Sequence, residues 1–146
     1  MAITSAICNS FKQEILEAEH NFTASSGNTF DIALYTSSAT LGASTTAYSS
    51  SNEITNSSGT AYTAGGKALT SVTPTLDSST AVCDFADISW TSASFTANGC
   101  LIYNDSHATD AAVCAVAFGG DKTVSSGTFT VQFPAAAATT AIVRIA

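Results

Sequence analysis

From Thr29 onward the chain alternates short β-branched and aromatic runs with clusters of Ser, Thr, Gly and Asn, and that texture points to a β-rich fold. The first run, residues 29–36, has period two: Phe30, Ile32 and Leu34 point one way, Asp31, Ala33 and Tyr35 the other. Further strands are predicted at 68–76, 80–85, 87–90 leading into Phe95, 99–104, 112–118, 128–133 and 141–145. Pro74 predicts an edge position or a strand end. The nearly all-apolar run 112–118 predicts a strand buried on both faces. Gly119-Gly120-Asp121-Lys122 predicts a turn, and Pro134 a stop.

Before this region, Ile3, Ile7, Phe11, Ile15 and Phe22 recur mostly four residues apart, with Leu16 and Ala18 beside them. The spacing predicts a helix over residues 3–22, capped by Thr4 or Ser5, with Glu14, Glu17, Glu19 and Lys12 on the opposite side. The expected architecture is all-β: an antiparallel two-sheet sandwich of Greek-key or jelly-roll type with about eight strands. It occupies 28–146, follows a short N-terminal α-helix within 1–22, and forms a single domain over 1–146.

Residues 37–66 are small and polar apart from Leu41, Tyr48, Ile54 and Tyr62, and read as a long excursion with a short strand near Ile54. Long loops on a rigid scaffold are where contacts usually lie. The expected interaction residues are therefore Tyr48, Ile54 and Tyr62 here, and Ile7, Phe11 and Ile15 on the helix, which docks either on its own sheet or on a neighbouring subunit.

Charged residues are only 10% of the chain, whereas it holds 21 Ser, 22 Thr and 26 Ala. Small hydroxyls and methyls have few rotamers to freeze, so a surface built of them suits repeated contact with other subunits, and equally sugar binding or an extracellular setting. The net charge is −7, and Lys12, Lys67, Lys122 and Arg144 are scattered, which argues against a nucleic-acid partner. No apolar run has membrane-spanning length. The first twenty residues, with Lys12, Glu14, Glu17 and Glu19, do not read as a secretory signal.

Reactive groups are sparse. Cys8, Cys83, Cys100 and Cys114 contain no C-x-x-C pair and read as small buried hydrophobes, with a Cys100–Cys114 bridge left open. His20 reads as an exposed residue at the helix end. His107 shares a loop with Asp105 and Ser106, but sequence neighbours without a nucleophile elbow read as a polar strand connection. The same loop lacks the spacing of a twelve-residue calcium loop. Asp84 and Asp87 read as ordinary strand and turn acids. Asn21, Asn56 and Asn104 each begin an Asn-x-Ser/Thr triplet, a weak signal in so hydroxyl-rich a chain. The expectation is no catalytic residues, no metal and no cofactor.

Five segments together resemble a known group. They are Ile7-Cys8-Asn9-Ser10-Phe11-Lys12-Gln13-Glu14-Ile15-Leu16; Ile32-Ala33-Leu34-Tyr35-Thr36-Ser37-Ser38-Ala39-Thr40-Leu41; Tyr62-Thr63-Ala64-Gly65-Gly66; Phe118-Gly119-Gly120-Asp121-Lys122; and Ala141-Ile142-Val143-Arg144-Ile145-Ala146. This pattern resembles small virion proteins of tailed bacteriophages of aquatic bacteria, departing from it at Cys100 and Cys114. The resemblance implies a non-enzymatic head decoration or cement protein that binds the major capsid protein or other virion subunits. It would be a homo-oligomer, a trimer among the arrangements open to it, assembled in the host cytoplasm and released by lysis. Two alternatives are a tail, fibre or adhesion module that stacks host glycans on Trp90, Tyr48, Tyr62 and Tyr103, and a self-assembling tube or filament subunit.

Overall fold

The computed structural model describes residues 2–146. Among these residues eight strands form two antiparallel sheets. β1 (Ala6–Ile7), β2 (Phe30–Tyr35), β3 (Lys67–Ala68), β6 (Ile88–Asn104) and β7 (Ala111–Val131) make a sheet ordered β1-β7-β6-β2-β3. β4 (Ser71–Asp77), β5 (Thr80–Phe85) and β8 (Val143–Ile145) make a second, ordered β4-β5-β8. Among the described residues a single helix, α1 (Asn9–Leu16), packs against β7. The result is an all-β two-sheet sandwich with a short N-terminal helix. Among the described residues no helix is long and apolar enough to cross a membrane.

The period-two reading of β2 sets both faces of the large sheet. Phe30, Ile32 and Leu34 pair with Asn104, Ile102 and Cys100 and share their face. That face meets the small sheet, where Phe85 lies 6.0 Å from Phe30 between ring centroids. Ala33 and Tyr35 face the other way with Leu101 and Gly99, and they too are buried. What covers this second face is the excursion 36–66. Its course is fixed by a bridge from Glu53 to Tyr35 at one edge of the sheet and from Ala47 to Ala111 at the other. The centre of the large sheet, β2 with residues 99–104 of β6 and 111–115 of β7, is therefore covered on both sides, by the small sheet and by an ordered loop, while β3 and residues 119–123 of β7 are exposed.

The helix is much shorter than the 3–22 predicted. Ile3 makes a parallel bridge with Leu41, and Ala6 and Ile7 pair with Ala115 and Cys114. A free strand edge offers these residues hydrogen bonds and burial together, which outweighs the weak preference of a short isolated helix. Cys8, not Thr4 or Ser5, stands at the N-cap, and its side chain makes no capping bond. At the other end Ala18 takes a positive φ of 62°. Its N–H bonds the Ile15 carbonyl while the Glu19 N–H bonds that of Glu14, the paired bonds of a Schellman stop.

Four predicted strands are in fact two. β6 and β7 form one long hairpin that pairs from Asn104↔Ala111 to Ile88↔Val131. The Gly119-Gly120 signal marks a bulge inside β7, not a chain-reversing turn: pairing passes from Gly99↔Ala117 to Ala97↔Lys122, so that 118–121 stand against Asn98 alone. Positive φ at both glycines permits the outward loop, and the Asn98 amide ties it by donating to Asp121 Oδ1 at 2.8 Å. The predicted strand 68–76 is also divided. The chain leaves the large sheet after β3 and enters the small one at β4, where Pro74 does sit on an edge strand.

Candidate functional site

The excursion 36–66 is held by one buried carboxylate. Glu53 Oε2 accepts from the Tyr48 hydroxyl at 2.7 Å, and Oε1 accepts from the Tyr62 hydroxyl at 2.7 Å and the Gly65 N–H at 2.8 Å. The Tyr62 hydroxyl in turn accepts the Leu34 N–H at 2.8 Å, satisfying a backbone group at the edge of β2. Burial, and then the bond to Glu53, push both phenols well above the usual tyrosine range. The next residue along, Gly66, lies so close to β2 that a Cβ there would collide with the Ile32 carbonyl. The hub therefore positions a loop and turns its polar groups inward.

These contacts decide the fate of the predicted interaction residues. Phe11, Ile54 and Tyr62 are buried in the chain's own core, so the contact role expected of them has no exposed surface to act through. Ile7, Ile15 and Tyr48 are half-buried and pack against the same core, Tyr48 stacking on Tyr103 at 4.7 Å. The structure brings Tyr48 and Tyr62 together through Glu53, and Phe11 and Ile15 together on α1. Trp90, Tyr62 and Tyr103 are also buried, so a sugar ring has no access to their faces.

His20 is not the exposed helix-end residue expected. It is buried beside Phe11, Phe22 and Phe30. Its Nε2 lies 2.8 Å from Glu14 Oε2 and its Nδ1 3.1 Å from Asn104 Nδ2. Asn104 accepts the Ser106 N–H on its oxygen and donates to the Glu19 carbonyl, which fixes which way its amide points. Nδ1 is then the acceptor and Nε2 carries the proton given to Glu14. The helix stop, the following loop and the β6–β7 turn are pinned together by this cluster. In that turn Ser106 Oγ accepts the Thr29 N–H and His107 Nδ1 lies 3.0 Å from Thr109 Oγ1. Among the described residues no group of three or more His, Cys, Asp or Glu is placed to hold a metal ion.

The surface left open is apolar and lies where the two sheets fail to cover one another. Leu76, Ala81 and Ile145 are paired across the small sheet in one row. Leu76 is 73% exposed and Ile145 57%. Beside this row a cleft of about 450 Å³ runs between α1 and the small sheet, walled by Phe11, Ile15, Phe22, Cys83 and Val143. A second cleft, of about 570 Å³, opens where β7 runs on past the small sheet. Leu16, at the last position of α1, is 88% exposed. With Val72, at 44%, Leu16, Leu76 and Ile145 are the large hydrophobic side chains left exposed among the described residues.

Reading the sequence missed these residues. Glu53 had one signal, being the only charge between Ser37 and Gly66 and standing amid tyrosines. Leu16, Leu76 and Ile145 had none, because their exposure depends on which elements stop short of covering them. No protein family, curated protein or solved structure matches the chain.

Proposed function

We propose that this chain is a non-enzymatic structural subunit of a tailed-phage virion, a head decoration or cement protein that binds the major capsid protein as a homo-oligomer. The observation that carries the reading is the pairing of a β domain whose long excursion is tied down by the buried Glu53 with uncovered apolar surface at Leu16, Leu76 and Ile145. The resemblance of the five quoted segments to phage virion proteins supports it. The low-charge surface of Ser, Thr and Ala supports it too, since such a surface costs little to desolvate against a neighbour.

Purified particles of a phage that encodes the chain provide the test. Mass spectrometry of washed virions should detect it, and cryo-electron microscopy should place it on the outer face of the head. Particles lacking it should open at lower temperature. Absence from washed particles, or a position only on the tail, overturns the reading.

A further inference from the structure

The larger cleft has a distinctive lining. Phe118, Phe129, Phe133 and Ile142 wall it, all half-buried, together with the exposed Lys122. Lys122 has no carboxylate within salt-bridge range among the described residues. The other three basic side chains are engaged: Lys12 with Asn9, Lys67 with the Ser89 carbonyl and the face of Trp90, Arg144 with the Ala138 carbonyl. The groove thus joins aromatic surface to one uncommitted cation.

Elsewhere on the molecule stands its complement. Leu16 projects from the end of α1 at 88% exposure and lines neither cleft. Glu17 follows it, exposed, and the last turn of α1 contains no basic residue. The negative end of the helix adds to that charge. The knob is therefore a leucine in an uncompensated negative field. Leu76 is a poorer match: it is less exposed, at 73%, and its neighbour Asp77 is tied to the backbone by the Ala138 N–H at 2.7 Å, whereas among the described residues the Glu17 carboxylate accepts only from the exposed Gln13 side chain, Nε2 at 2.8 Å.

We propose that copies of this chain associate head to tail, Leu16 of one entering the Phe118–Phe129–Phe133 groove of the next with Glu17 facing Lys122. Knob and groove are different surfaces, so the contact is heterologous and either closes into a ring or continues as a filament. This deepens the assembly reading given above and rests on it for its biological setting. The contact is small, and it gains strength when copies are held close together on a shell.

Sedimentation of the purified full chain, at concentrations on the order of 10 µM to 1 mM, tests it. Wild type should gain mass with concentration. Leu16→Glu should weaken that association at least about tenfold through loss of the buried leucine. Lys122→Glu should weaken it too, and Glu17→Lys in the Lys122→Glu background should restore it. Leu16→Glu mixed with Lys122→Glu in equal amounts should stop at the mass of two chains, since one variant keeps its groove and the other its knob. Both positions are exposed, and unchanged far-ultraviolet circular dichroism checks that each variant is folded. Should a glutamate at 16 disturb α1, Leu16→Ser asks the same question. A wild type that stays monomeric throughout, variants that associate like wild type, or a mixture that stays monomeric overturns the contact. The virion reading would be untouched by that result, because its test is the particle.

Discussion

The Tyr62 hydroxyl donates to Glu53 Oε1 at 2.7 Å and accepts the Leu34 N–H at 2.8 Å, so one phenol joins a buried carboxylate to the edge of a strand. Removing that hydroxyl leaves a backbone donor and a carboxylate oxygen each short of a partner. Tyr62→Phe should therefore cost about 1–3 kcal/mol. Glu53→Ala should cost more, because it strands two phenols and the Gly65 N–H together. Urea titration followed by Trp90 fluorescence measures both, with the midpoint falling and the slope unchanged. A midpoint within error of wild type for Glu53→Ala would show that the hub holds nothing.

Ala18 occupies the left-handed position that ends α1, at φ 62°, where glycine is the usual residue. A Cβ in that conformation costs roughly 1 kcal/mol, partly offset by the extra freedom glycine has in the unfolded chain. Ala18→Gly should raise stability by about 0.5 kcal/mol, and Ala18→Val, bulkier and β-branched, should lower it. A thermal midpoint that fell for the glycine variant would contradict this account of the helix stop.

How much of this was legible depends on whether the signal was local. Period two in β2 was legible and held, because Phe30, Ile32 and Leu34 do share a face. The four-residue spacing of Ile3, Ile7, Phe11 and Ile15 misled, because a spacing of four is also a multiple of the strand period, and β7 offered Ile7 an edge. Gly119-Gly120 misled for another reason: two residues at positive φ serve a bulge as well as a turn, and pairing beyond the pair decides which. His20 became buried through Asn104, 84 residues away, which no pattern near either residue announces. The open clefts were the least legible of all, since they are defined by where the small sheet ends.

Asp31 should make stability depend on pH. Burial pushes its carboxyl up to about 6, and the charges of Asp105 and Asp110 add to the effect. Its Oδ1 is enclosed without a hydrogen-bond partner. The folded chain thus holds this proton more tightly than the unfolded chain, where an aspartate titrates near about 4. The stability that Asp31 permits is fully present below about 4 and is lost as pH rises through about 6. Asp31→Asn, which mimics the protonated form, should match wild type near pH 4 and exceed it increasingly up to pH 7. Urea midpoints across that range check it; an Asn variant weaker than wild type at pH 7 would reverse the sign.

The four cysteines should behave as inert core residues. All are buried and free, and burial pushes Cys8 up to about 11, Cys83 and Cys100 up to about 12, and Cys114 well above the ordinary thiol range. Cys114 stands opposite Ile102 and Cys100 opposite Val116, so the two thiols are diagonal neighbours across β6 and β7. Diagonal Cα atoms lie about 7–8 Å apart, beyond the roughly 4.4–6.8 Å that a disulfide spans. Native protein treated with a thiol-reactive chromophore at pH 8 should therefore react only as fast as it opens, and unfolded protein should release four equivalents at once. Mass spectrometry after mild oxidation should find no loss of two hydrogens. A rapid native equivalent would contradict the burial of the thiols, and a Cys100–Cys114 bridge would mean that the β6–β7 pairing shifts in solution by enough to bring those strands into another register.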